Sequence, residues 1–134
     1  MTGLERFLMA LLLSVVFFNE TMLSREEIAF TVWENHDMIL EDMARQDFAD
    51  TLALEGIEEI TSWSGGHVFH CGGVGLIPES LSAGFFSVSP DEGLDAWLAD
   101  AKPYEGGWRW EGDGDNYYFA EKLCEHFYYY QAHY

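Results

Sequence analysis

The chain has 134 residues, 49% apolar and 16% aromatic, and its 24 acidic against six basic residues give a formal net charge of −18. That length suits one domain whose core needs no disulfide or metal staple, and the apolar content is well above that of a disordered acidic tail. The charge sets aside direct binding of nucleic acid or anionic lipid, which it repels, and favours a basic protein surface.

Cys71 and Cys124 are the only cysteines. Two do not make a disulfide framework, so a reduced, cytoplasmic setting is expected. The apolar run Phe7–Phe18 is long enough for a signal-peptide core and too short to span a membrane. Glu5 precedes it and no small-x-small cleavage site follows, so it is expected as a buried helix. Thr2 and Glu5 are spaced as its capping box. A helix apolar all round belongs in the core centre or, alternatively, in a homodimer interface.

Ser24, Arg25, Glu26 and Glu27 form a second capping box, with Leu23 and Ile28 placed to staple it. On a helical wheel the residues that follow divide into two faces. Ile28, Val32, Trp33, Ile39, Leu40 and Met43 share one side. Glu26, Glu27, Glu34, Asp37 and Glu41 share another, with Phe30 among them. The pattern drifts at Arg45–Phe48, which predicts a kink or a new helix, and Gly56 ends the helical stretch.

Ile57–Trp63 and His67–Cys71 flank Ser64, Gly65 and Gly66 as a hairpin. Gly72, Gly73 and Gly75 predict a break, and Ala83–Val88 a third strand. Ser89, Pro90 and Glu92 mark the start of a helix carrying Leu94, Trp97, Leu98 and Ala101, which Pro103 stops. Gly107–Trp110 reads as a short strand and Glu111–Asp115 as a turn. Asn116 is placed to cap a last helix with Phe119, Leu123, Phe127 and Tyr130 on one side. The order ααβββαβα predicts a single α+β domain over residues 1–134. It has a small, mainly antiparallel sheet of about three to four strands, N-terminal helices and two further helices.

No catalytic motif of useful specificity and no family motif is present. The leading candidate site is the acidic helix face: Glu26, Glu27, Phe30, Glu34, Asp37 and Glu41. Carboxylates repeated along a rod of about 30 Å can stand in for backbone phosphates in a partner's nucleic-acid groove, and Phe30 supplies an anchor. A plain solvated helix face is the structural alternative. The expected function is therefore a non-catalytic acidic inhibitor, or decoy, of a basic nucleic-acid-handling protein or complex. Proteins of this size and charge include phage-encoded inhibitors of CRISPR or restriction systems. The same electrostatics suit an immunity protein that neutralises a basic toxin. From another class, His67, His70, Cys71, Cys124 and His126 suggest a small metal- or cysteine-dependent enzyme. Their spacing matches no zinc motif, and on a strand His67 and Cys71 share one face while His70 takes the other. Neither a cofactor nor a metal is therefore assigned.

Overall fold

The capping box at Ser24 is formed: the Ser24 hydroxyl accepts from the Glu27 amide and the Glu27 carboxylate accepts from the Ser24 amide, each at 3.1 Å. In the computed structural model, which describes residues 22–63, 66–76, 79–88, 100–112 and 114–133, this cap starts helix α1 (Arg25–Arg45). The helix bends at Asn35 (φ −121°, ψ 15°). There the Asn35 side-chain amide donates to the Thr31 carbonyl at 2.9 Å, a local bond that competes with the helical ladder. Gln46, in the left-handed region at φ 56°, ends α1, and a short helix α2 (Ala49–Leu52) follows. The drift at Arg45–Phe48 is this break.

Asp42 fixes the joint between the two helices. Its side chain is fully buried, and it accepts from the Thr51 hydroxyl at 2.7 Å, the Thr51 amide at 2.9 Å and the Arg45 guanidinium at 2.7 Å. The Thr51 hydroxyl, ahead of the opposing effect of burial, holds the Asp42 carboxyl below its ordinary range. Asp42→Ala is expected to leave the buried Thr51 amide unpaired and its hydroxyl with only the weak acceptor Met38 Sδ, 3.7 Å away, which costs about 1–3 kcal/mol in urea unfolding at pH 7. Because the folded pKa is the lower one, the contribution of Asp42 is present above the ordinary carboxyl range and fades as pH falls through the folded value. A variant as stable as the wild type at pH 7 contradicts this role.

The rest of the described chain is one antiparallel sheet. Its strands are β1 (Glu59–Trp63), β2 (Gly66–Leu76), β3 (Glu79–Val88), β4 (Lys102–Tyr104), β5 (Gly107–Glu111), β6 (Tyr117–Cys124) and β7 (Phe127–His133). They lie in the order β1-β2-β3-β7-β6-β5-β4. The expected α+β fold with three to four strands and four helices is thus corrected: the described chain is mostly β, with seven strands, one long helix and one short one.

Three local causes account for the difference. The helix expected after Asn116 is the β6–β7 hairpin. Phe119, Leu123 and Phe127 are four apart, a spacing that suits one face of a helix and also one face of a strand, where the period is two. Tyr130 breaks the tie: it lies on the opposite side of the sheet from Phe127. Gly72 and Gly73 do not end β2, because a register shift between His70 and Gly73 carries the strand past them. Pro103 sits in β4 at the sheet edge, where its missing N–H costs no ladder bond. The expected helices over Phe7–Phe18 and after Ser89, and the homodimer interface drawn from the first, lie outside the described residues.

Adjacent strand residues point to opposite faces, and both faces of the central strands are buried. On the helix side Ile28, Val32 and Ile39 pack over Phe69, Phe85 and Phe127. On the other side Val68, Phe86, Trp110, Ala120, Tyr130 and Ala132 form a second cluster. Trp33, expected on the apolar side of α1, is 58% exposed; its indole N–H donates to the Leu123 carbonyl at 3.0 Å. Among the described residues no helix is long and apolar enough to cross a membrane.

Candidate functional site

The face of α1 opposite the core is an acidic ridge. Glu26, Glu27, Phe30, Glu34, Asp37 and Glu41 are all exposed, and they fall within about 100° of the helical wheel, centred away from Ile28, Val32 and Ile39. Phe30 is 62% exposed in their midst. Glu27 has a second task, since its carboxylate closes the capping box.

The charge is gathered on this layer. Residues 26–55, from α1 through the turn after α2, hold nine carboxylates, the buried Asp42 among them, against one basic residue, Arg45. That arginine bonds the buried Asp42 and lies 3.6 Å from Asp50, with its side chain still 57% exposed. Arg25 is likewise held in a bidentate pair with Glu121, with its Nε 2.7 Å from Oε2. Arg25 also lies 3.9 Å from Glu26, and Arg45 feels the charge of Glu41, so among the described residues the arginines offset the ridge at its two ends.

Two hollows flank the ridge and name residues that the wheel alone does not. One, of about 470 Å³, is lined by Leu23, Glu26, Glu27, Phe30, Thr31 and Glu55. Its lining combines the apolar Leu23 and Phe30 with three carboxylates. The other, of about 680 Å³, includes Trp33, Glu34, Asp37, Cys124 and Glu125. Glu55 and Glu125 come from loops, so no helical periodicity points to them. Trp33 reads as core in the sequence because its position on the wheel borders the apolar face.

The histidine and cysteine constellation does not assemble. His67 lies on the helix side, its ring edge-on to Phe48 at 5.2 Å and its Nδ1 2.7 Å from the Ser62 hydroxyl. Burial pushes its pKa down. Cys71 is also on the helix side and 2% exposed. Burial, with Glu58 adding to it, pushes its thiol far above the ordinary range, so thiolate is scarce at neutral pH. His70 faces the opposite side of the sheet, between Tyr130 and Thr61.

Cys124 is half-buried, and burial pushes its thiol up as well. His126 is not on an apolar helix face, as the sequence pattern implies. It stands exposed in the β6–β7 turn at φ 79°. Its neighbour Phe127 shares a cross-strand row with Ser87 and His67. This puts His126 toward the end of β2 that is about 13 Å from Cys71. Among the described residues no three His, Cys, Asp or Glu side chains gather as a metal site.

Comparisons of the chain with protein-family models, with curated proteins and with solved structures found no match, so the ridge and its hollows are interpreted from their own chemistry.

Proposed function

We propose that the chain is a non-catalytic acidic inhibitor that seats its α1 ridge on the basic nucleic-acid-binding surface of a partner protein or complex in the cytoplasm. Phage-encoded inhibitors of CRISPR or restriction systems act in this class of role. The supporting observation is Phe30: a large apolar side chain, 62% exposed, set among carboxylates and lining a hollow together with Glu26, Glu27 and Glu55. A purely solvated face has no use for it. An aromatic at the centre of a charged patch is the pattern of an interface anchor, with the acids steering the approach. The α1 carboxylates take the places of phosphates along a groove, and inhibition is stoichiometric.

The test is capture of the partner from the native host, followed by quantitative binding. Affinity is expected to fall steadily with added salt and to be competed by nucleic acid. Phe30→Ala is expected to cost about 2 kcal/mol of binding, roughly thirtyfold, with unchanged folding. A binding constant indifferent to salt, or a partner that binds nucleic acid and inhibitor together, removes the decoy. A single toxin as the captured partner reassigns the same surface to an immunity protein.

A further inference from the structure

Away from the ridge, the helix-side face of β5, β6 and β7 carries a cavity of about 330 Å³ beside the start of α1. That is the lower end of the size of small-molecule sites, about 300–1,000 Å³. Its walls are aromatic: Tyr104, Tyr117, Phe119 and Tyr129 all line it.

The polar groups among these rings are already fixed in place. Tyr129, 4% exposed, donates its hydroxyl to Gln131 Oε1 at 3.0 Å, and Gln131 Nε2 donates to the Tyr117 hydroxyl at 3.0 Å. This leaves the Tyr117 O–H as a donor. The Arg109 guanidinium carbon lies 5.0 Å from the Tyr104 ring centre and 4.3 Å from that of Tyr117. Its Nε is spent on Glu111 at 2.6 Å, the carboxylate it meets among the described residues. The guanidinium also hydrogen-bonds the Tyr104 side chain, and the remaining N–H groups of its two terminal amino groups are left for an incoming oxyanion, on a planar group that the rings hold still.

Charge decides the class of ligand. The lining carries two arginines, Arg25 and Arg109, against two glutamates, Glu105 and Glu121, inside a molecule of net charge −18. A net anion is repelled by the whole-molecule field, and a net cation meets two fixed guanidiniums. A zwitterion meets neither penalty.

We propose that this cavity binds a small zwitterionic aromatic compound, of which a free aromatic amino acid is the simplest. Its carboxylate takes the terminal amino groups of Arg109, its ammonium faces Glu105, the lining carboxylate that Arg25 does not hold, and its ring packs among Tyr104, Phe119 and Tyr129. The site is separate from the α1 ridge, so its failure leaves the inhibitor reading untouched, and the reverse also holds.

The probe is L-phenylalanine, followed by calorimetry and by amide shifts in NMR. 3-Phenylpropionate, without the ammonium, and 2-phenylethylamine, without the carboxylate, serve as comparison ligands. Binding is expected with shifts confined to β4–β7 and the start of α1, and each comparison ligand should bind about tenfold more weakly or worse. Arg109→Gln should weaken L-phenylalanine binding by about tenfold, and Glu41→Gln on the ridge should not. The wild-type shift map and the comparison ligands decide the matter even if Arg109→Gln fails to fold. No binding, shifts elsewhere, a comparison ligand that binds equally well, or a folded Arg109→Gln with full affinity each overturn the proposal.

Discussion

Truncating Phe69 to alanine is expected to remove about 3–5 kcal/mol of stability, enough to bring a domain of ordinary stability to the edge of unfolding. Phe69 is fully buried on the helix side of β2. Its ring stacks on Phe85 at 4.4 Å and 7°, with Phe48 at 6.0 Å and Phe127 at 6.3 Å in edge contact. These neighbours come from β3, β7 and the segment before α2, so none can move into the void without disturbing its own strand or helix. Ile28, Val32 and Ile39 of α1 belong to the same cluster, and the void would therefore loosen the element that carries the ridge. Guanidinium unfolding should show a lower midpoint with an unchanged slope. Phe69→Leu should cost clearly less, because most of the volume stays. A Phe69→Ala midpoint close to that of the wild type would mean that the helix-side cluster is not the main core.

The contrast between α1 and β6–β7 shows what the sequence carries. Ser24, Glu27 and Ile28 declare the start of α1 through bonds and contacts within one turn. The ridge follows, because helical periodicity separates Glu34, Asp37 and Glu41 from Val32 and Ile39 without help from the rest of the fold. The β6–β7 hairpin offers no such local signal. Its turn uses Glu125 and His126, with His126 at positive φ, instead of the Gly or Asn that marks a hairpin.

The Phe119–Leu123–Phe127 spacing satisfies two periods at once, and only packing against both faces of the sheet selects the strand. The cavity at Arg109 is less legible still. Arg25 and Glu121 are 96 residues apart, and Tyr104, Tyr117 and Gln131 meet only through the registers of four strands. Pairing of that kind leaves no pattern in a single sequence. The run of nine carboxylates over residues 26–55 is plain in the sequence, but the burial of Asp42 and the pairing of Arg45 with it are not.

Acidification from pH 7 to pH 4 is expected to cost the wild type up to about 3 kcal/mol at a single residue, His70. Its imidazole lies between the Tyr130 hydroxyl, 2.8 Å from Nδ1, and the Thr61 hydroxyl, 3.4 Å from Nε2. Gly84 stands between His70 and Tyr130 in the cross-strand row. A Cβ there would come within 2.8 Å of the Tyr130 ring, so glycine is what lets that ring reach across. Glu59 is paired with His70 from β1, yet burial governs and lowers the His70 pKa to about 4.

The folded value is below the unfolded one of about 6.5, so the stability tied to neutral His70 is complete above that pH. It drains away as pH falls toward 4 and is then gone, because the unfolded chain takes up the proton first. Protonation of the exposed carboxylates works in the opposite sense, since it relieves repulsion in a molecule of charge −18. The comparison must therefore be with His70→Gln, which keeps polar atoms near Thr61 and Tyr130 but does not titrate. Urea unfolding of both proteins at pH 7, 5.5 and 4 should show the wild type losing stability relative to the variant at each step down. Parallel stability curves for the two proteins would show that His70 is not held neutral by burial.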